Sequence, residues 1–325
     1  MPAGGPVLSG VEERLAPLKT WLFPSRVFVQ LDDRAITGFA LDGQRLLWCE
    51  RVPLPAGLCE QGEPRQVDSL GDLLGDLLVE RGFAGARVEA VLPAAACQWR
   101  LVRWPDGGWP DDPQRLLAQH EAALELRAPL PYLDLHLVPL ALAPPTTLTV
   151  AVSSQLLERW IEVFAQAGAS LVRAEAAQLC VCRALAALVP ELLEAEAIAL
   201  LQLEPQGASL LILEAGVPCY ERSLPPLERG PALAQGLGRA LQYWRQERRQ
   251  AAVPRLLCHG SALPEGVDRA ELAIALGCPV QVLDPLAGGW LLAEPPPEGQ
   301  QRPPGAALLP LWGLLAGESA LEGRR

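Results

Sequence analysis

Lysine is almost missing from this chain: Lys19 is the only one, and every other cation is arginine. A Schiff-base lysine, the lysine of a phosphate-binding loop and the strand lysine of a protein kinase therefore have almost nowhere to come from. Aromatic residues make up 5% of the sequence, and its three histidines stand far apart, which leaves a metal or acid–base centre built on imidazoles without a cluster. Basic residues are also outnumbered, 27 Lys and Arg against 38 Asp and Glu, for a net charge of -11. Such a field repels phosphate backbones and anionic lipid, and nucleic acid is not an expected partner.

Long apolar runs are missing too. No N-terminal stretch has the basic flank and continuous apolar core of a signal peptide, and the longest apolar segments, such as 306–316, fall short of a membrane span. A soluble, cytoplasmic protein without a transmembrane segment is expected. The eight cysteines are scattered, and only Cys180 and Cys182 are close, in an apolar helical stretch where a spacing of two puts them on different faces. They read as small buried hydrophobes in a reducing compartment, not as a disulfide framework or metal site.

What is present is ample core. The 325 residues are 50% hydrophobic, enough for two or three domains. Residues 1–25 read as a tail with one short amphipathic helix, Leu15, Leu18 and Leu22 beside Trp21 and Phe23, suited to touching a membrane, a partner or its own domain. Strands follow at 26–31, 35–41 and 45–52, the last two joined at Asp42-Gly43, a hairpin signal. A helix on Leu70, Leu73, Leu74, Leu77 and Leu78 leads to strands at 87–92 and 97–104. After a loop through Pro105, Gly107, Gly108 and Pro110 come a helix at 113–126 and strands at 133–142 and 147–152. A helix with Leu156, Trp160, Val163, Phe164 and Ala167 on one face, a strand at 171–174 and an apolar helix at 176–189 close the first half.

The second half begins as the first does. Strands are expected at 198–203, 208–213 and 218–224, with Gln202-Leu203-Glu204 answering Gln30-Leu31-Asp32, and Glu221-Arg222 answering Glu50-Arg51. A helix on Leu233, Leu237, Leu241 and Trp244, a strand at 255–258, a helix at 269–276, a strand at 279–283, a Pro-rich loop at 295–304 and a last helix near 306–316 complete it. A three-stranded meander followed by helices and further strands, occurring twice, is the plan of the actin, sugar-kinase and chaperone ATPase class. The expected fold is α/β: an actin-like (ribonuclease H-like) duplicated fold.

Several collinear stretches resemble the PilM family of pilus assembly proteins, relatives of the cell-division protein FtsA, from about Arg26 to Ala316. They are Glu121-Ala122 with Ala128-Pro129-Leu130-Pro131 and Leu133-Asp134-Leu135; Val150-Ala151-Val152 with Leu156 to Trp160, Ala167-Gly168 and Arg183-Ala184-Leu185; and Cys258 to Pro264 with Leu276-Gly277-Cys278-Pro279-Val280 and Asp284-Pro285. The resemblance implies an inserted FtsA-type subdomain at 97–172, a first actin-like subdomain at 26–96 plus 173–194, and a second domain at 195–325. It also implies a groove bordered by the insert that receives the cytoplasmic tail of the membrane protein PilN.

Actin-like ATPases cradle phosphates between two meander tips, where glycine and small hydroxyl residues let backbone amides reach the ligand. Here the first tip, Leu31-Asp32-Asp33-Arg34-Ala35, is short and lacks glycine; the second, Leu203-Glu204-Pro205-Gln206-Gly207, offers a carboxylate and a proline without an N–H. Both read as built against phosphate, with Asp32, Arg34, Gly260 and Ser261 as remnants of a nucleotide site and His259 where a base or ribose would pack. In the alternative reading Arg34 binds phosphate and Asp32 holds magnesium through water, as ATP-dependent members of the class do.

His120 is expected as a half-buried structural histidine, and Ser153-Ser154 and Ser209 as cap or strand residues rather than nucleophiles. Arg245, Arg248 and Arg249 complement a helix C-terminus or, in a sharper reading, dock an acidic partner. Trp99, Leu101, Trp104, Tyr132 and Leu137 are the candidate anchors for an apolar peptide, with core packing as the bland reading. The expectation is a non-catalytic scaffold of a type IV pilus or competence machine, without cofactor, held at the inner membrane by a PilN-like partner and working with pilus assembly ATPases. An ATP-gated switch and the cytoplasmic part of a GspL-type secretion platform are the alternatives.

Overall fold

The computed structural model describes residues 26–42, 45–104, 109–140, 142, 144–190, 197–204, 207–224, 230–248, 253–261, 263, 267–287 and 302–322. The N-terminal segment, the hairpin turn at Gly43, the loop at 105–108, Pro205, Arg249 and most of the Pro-rich loop lie outside these residues. Contacts divide the chain into two units, 1–43 with 47–174, and 44–46 with 175–325.

In the first unit, β1 (Arg26–Leu31) pairs antiparallel with β2 (Ala35–Asp42), and β3 (Arg45–Pro53) follows at the sheet edge. β1 is central, with parallel β6 (Arg87–Leu92) on its other side, so Val27, Phe28 and Val29 are all buried and the alternation of a half-exposed strand is lost. Between β3 and β6 lie a small hairpin, β4 (Cys59–Glu60) with β5 (Glu63–Pro64), and helix α1 (Val67–Glu80), whose Leu70, Leu74, Leu77 and Leu78 are buried on one stripe. The hairpin has no counterpart among the elements expected from the sequence.

A 3₁₀ turn, Ala94–Ala96, then enters a separate three-stranded sheet of order β7-β9-β8, built from β7 (Cys97–Arg103), β8 (Leu133–Leu140) and β9 (Thr146–Ser153). The helix expected at 113–126 is broken in two, α2 (Pro113–Gln119) and α3 (Glu121–Leu124). The end of α3 is held from the sheet: Arg100 donates to the carbonyl oxygens of Leu124 and Glu125 at 2.8 Å each, and Glu125 takes a left-handed φ of 48°. His120 marks the break and is exposed rather than half-buried.

Helix α4 (Ser154–Gln166) starts at the Ser153 cap, whose hydroxyl accepts the Leu156 N–H. Its Gln166 donates to Asp72 of α1 at 2.8 Å, and β10 (Ser170–Ala176) joins the main sheet beside β6. The range 97–172 therefore contains the three-stranded insert together with a helix that packs on α1 and the start of a strand of the main sheet. The main sheet has the order β10-β6-β1-β2-β3.

The second unit repeats this order as β15-β14-β11-β12-β13. It comprises β11 (Ala197–Glu204), β12 (Gly207–Glu214), β13 (Val217–Leu224), α6 (Gly230–Arg248), β14 (Leu256–Gly260), α7 (Arg269–Leu276) and β15 (Val280–Val282). Leu237, Leu241 and Trp244 of α6 are buried against Leu201, Leu210, Ile212 and Leu256, and each such side chain contributes roughly 2 kcal/mol of apolar burial. Helix α5 (Ala177–Leu188), assigned with 173–194 to the first subdomain by sequence, falls in this second unit and packs along α8 (Leu309–Glu322), where Arg183 donates to the Gly313 carbonyl at 3.2 Å. None of the eight cysteines is in a disulfide, and burial pushes the Cys182 and Cys258 thiols up to about 12, so both stay neutral.

Candidate functional site

The first meander tip is closed on itself. Asp32 Oδ1 accepts the backbone N–H groups of Arg34 and Ala35, both at 2.8 Å, and Asp32 Oδ2 faces the Arg51 guanidinium at 3.0 Å. Both carboxylate oxygens are thus engaged, and the two amides best placed to meet an anion already hold one. Arg34 is exposed. Asp33, not among the candidates expected from sequence, has oxygens that accept the N–H groups of Gln61 and Gly62 at 2.8 Å each.

In the second unit, β11 and β12 pair as far as Glu204 opposite Gly207, and Gln202 donates to Glu204 at 2.7 Å. Gly260 ends β14 opposite Leu203 with φ +91°; a Cβ there would lie 2.3 Å from the Leu203 carbonyl oxygen. Its glycine is thus required by the backbone itself. The Ser261 N–H donates to that same oxygen at 2.8 Å. His259 is buried opposite Gln202; its Nδ1 has no hydrogen-bond partner among the described residues, and burial pushes its pKa down to about 4. Asp32 and Arg34 belong to the first unit, Gly260 and Ser261 to the second.

In the insert, register separates the five candidate anchors. Trp99 stands opposite Val150 and Leu101 opposite Leu148, with His136 and Val138 beyond them on β8, so one face carries Trp99, Leu101, Leu148, Val150, Val138 and the exposed His136. Trp99 and Leu101 are half-buried there. Leu137 lies on the other face, packed into the insert core with Trp104, Leu117 and Leu124. Trp104 is 3% exposed, donates Nε1–H to Thr147 at 2.8 Å, and meets Trp109 edge-on at 6.1 Å; it is a core residue, contrary to its candidacy as an anchor. Tyr132, the last residue of the 3₁₀ turn Leu130–Tyr132 before β8, is 67% exposed.

Among the other residues weighed, Ser209 sits on β12 opposite Gln202 and Ser223. Among the described residues no group of His, Cys, Asp and Glu is arranged to hold a metal ion, and no helix is long and apolar enough to cross a membrane.

No protein-family model matches the chain, and no curated protein matches its sequence. Solved structures do match. A Bacteroides thetaiotaomicron protein of unknown function with an actin-like ATPase fold is 8% identical over 82% of this chain and 95% of its own, with a TM-score of 0.50. Together with the repeated strand order, this likeness makes the fold actin-like. A PilM–PilN type IV pilus biogenesis complex aligns over 93% of this chain and 99% of its own at 18% identity, with a TM-score of 0.71. The chain is PilM-like in fold, at a sequence distance that leaves its own site chemistry to be read from its own residues. The cytoplasmic domain of EpsL, an inner-membrane component of the Vibrio cholerae type II secretion system, is 13% identical over 91% of this chain and 95% of its own, with a TM-score of 0.47.

Proposed function

We propose that this chain is a non-catalytic scaffold of a type IV pilus or related machine, and that its insert takes the cytoplasmic tail of a PilN-like inner-membrane protein. The observation that carries the reading is the mostly apolar face of the insert, where half-buried Trp99, Leu101 and Val138 flank the buried Leu148 and Val150, with the exposed His136 as its polar member. An extended or helical apolar tail gains its binding energy from a few such anchors. Exposed Tyr132 adds an amphipathic side chain with few rotatable bonds, the type enriched at binding surfaces. The structure similar over most of this chain is of PilM in complex with PilN, which supports the choice of partner class. The working location is the cytoplasmic face of the inner membrane, reached through that partner, with pilus assembly ATPases as further partners.

The residues of the first tip do not fit a nucleotide phosphate. Asp32 places a carboxylate where the amides of Arg34 and Ala35 would meet one, and its second oxygen is paired with Arg51, which leaves it poorly disposed toward magnesium. At the second site the Ser261 amide is bonded to Leu203. The reading is therefore of an actin-like fold retained for recognition, without ATP turnover.

The test is a photo-crosslinking amino acid at position 101 or 132 in cells, with position 274, exposed on α7, as control. Adducts with a single-span pilus membrane protein at 101 and 132, and none at 274, support the reading. Equal labelling at all three, or no such adduct, contradicts it.

A further inference from the structure

The turn Gln61–Gly62 joins β4 to β5 with two successive left-handed residues, φ 53° at Gln61 and 78° at Gly62. Glutamine adopts this conformation with strain. Asp33 holds it: one oxygen accepts Gln61 N–H and the other Gly62 N–H, at 2.8 Å each, while Cys59 Sγ lies 3.5 Å from Oδ1.

Both covalent connections of the insert rest on this turn. On the way in, a Cβ at Gly62 would lie 3.0 Å from the Cβ and N of Ala96 and 3.1 Å from the Cβ of Pro93, the residues leading directly into β7. On the way out, β9 runs into α4, whose buried Trp160 donates Nε1–H to the Gly62 carbonyl at 3.2 Å. Arg159, beside it, donates to Glu63 at 2.6 Å and reaches the Pro64 carbonyl at 3.4 Å.

We infer that the Gln61–Gly62 turn, clamped by Asp33, is the seat that fixes the orientation of the insert relative to the main sheet of its unit. Two covalent connections alone leave the insert free to swing about the line that joins them. A rigid turn touching both removes that freedom, and the clamp comes from the tip between β1 and β2. Asp33 is thus a positioning residue: the tip and the insert move as one piece, and a ligand that displaces the tip displaces the insert. The inference concerns the fold of the first unit and stands whether or not the partner is the one proposed above.

Electron–electron distance measurement on the full chain tests it, with ketone-bearing residues at 79 on α1 and 132 in the insert carrying the labels, since eight native cysteines preclude thiol labelling. The native chain and Glu50→Gln, which breaks an ion pair remote from the turn, are expected to give one narrow distribution. Asp33→Ala and Gly62→Ala are expected to broaden it about twofold, and Asp33→Asn, which keeps one acceptor oxygen, to fall between. A folded Asp33→Ala chain with the native width overturns the inference. If that variant fails to fold, Arg159→Ala serves in its place, with broadening supporting the seat and the native width overturning it.

Discussion

Arg51 of β3 holds Asp32 from across the first meander, guanidinium to carboxylate at 3.0 Å, while the same carboxylate takes two amides of its own tip. Asp32→Ala should therefore cost about 1–2 kcal/mol in urea unfolding, mostly from the two stranded N–H groups, and Arg51→Ala only about 0.5 kcal/mol. Because the two side chains share one carboxylate, the double variant should lose less than the sum of the single losses. Additive losses would show that the pair acts independently.

Glu50 and Arg81 supply a pH prediction. The Arg81 guanidinium, donating to both oxygens at 2.7 and 3.0 Å, holds the Glu50 carboxyl below its ordinary value despite partial burial. A carboxyl lowered on folding stabilises above its unfolded pKa, about 4.3, and loses that contribution as pH falls through the folded value. Glu50→Gln should melt below the native chain at pH 7, with the gap closing below about pH 4. A gap of constant size across that range would assign the loss to packing.

His259 acts in the same sense as Glu50, but over a higher pH range. With a folded pKa pushed down to about 4, its protonation favours the unfolded chain as pH falls from about 6.5 to 4, at a cost on the order of 3 kcal/mol by pH 4. His259→Leu should flatten the stability curve between pH 7 and 4.5 and leave stability at pH 7.5 close to native. Unchanged acid sensitivity would place the titrating group elsewhere.

Gly260 tests whether the glycine is there for the chain or for a ligand. Gly260→Ala adds a Cβ 2.3 Å from the Leu203 oxygen at a φ of +91°, and should destabilise by more than about 2 kcal/mol with no nucleotide present. Native stability would mean that the glycine serves an approaching ligand instead.

Much of this architecture was legible in the sequence. Gln30-Leu31-Asp32 and Gln202-Leu203-Glu204 do end equivalent central strands, and the order fifth, fourth, first, second, third holds in both sheets. Strands buried on both faces announce themselves as apolar runs, and α1 and α4 as leucine and aromatic stripes. The hairpin at 59–64 was not legible, since strands of two residues have no periodicity and the turn is stabilised by Asp33 from 28 and 29 residues away. Nor was the end of α3 at Leu124, short of the expected 126, because the donor that caps it, Arg100, comes from the β-sheet of the insert. The burial of Trp104 was recoverable: in the strand expected at 97–104, whose odd positions hold Trp99 and Leu101, its even position puts it on the other face.

Isothermal titration of the purified chain with a synthetic N-terminal tail of the proposed PilN-like membrane partner, and separately with Mg-ATP, tests the central claim most directly. The account predicts saturable peptide binding, weakened at least tenfold by Trp99→Ala with Leu101→Ala, and no heat from Mg-ATP. Micromolar ATP binding with no response to the peptide would contradict it.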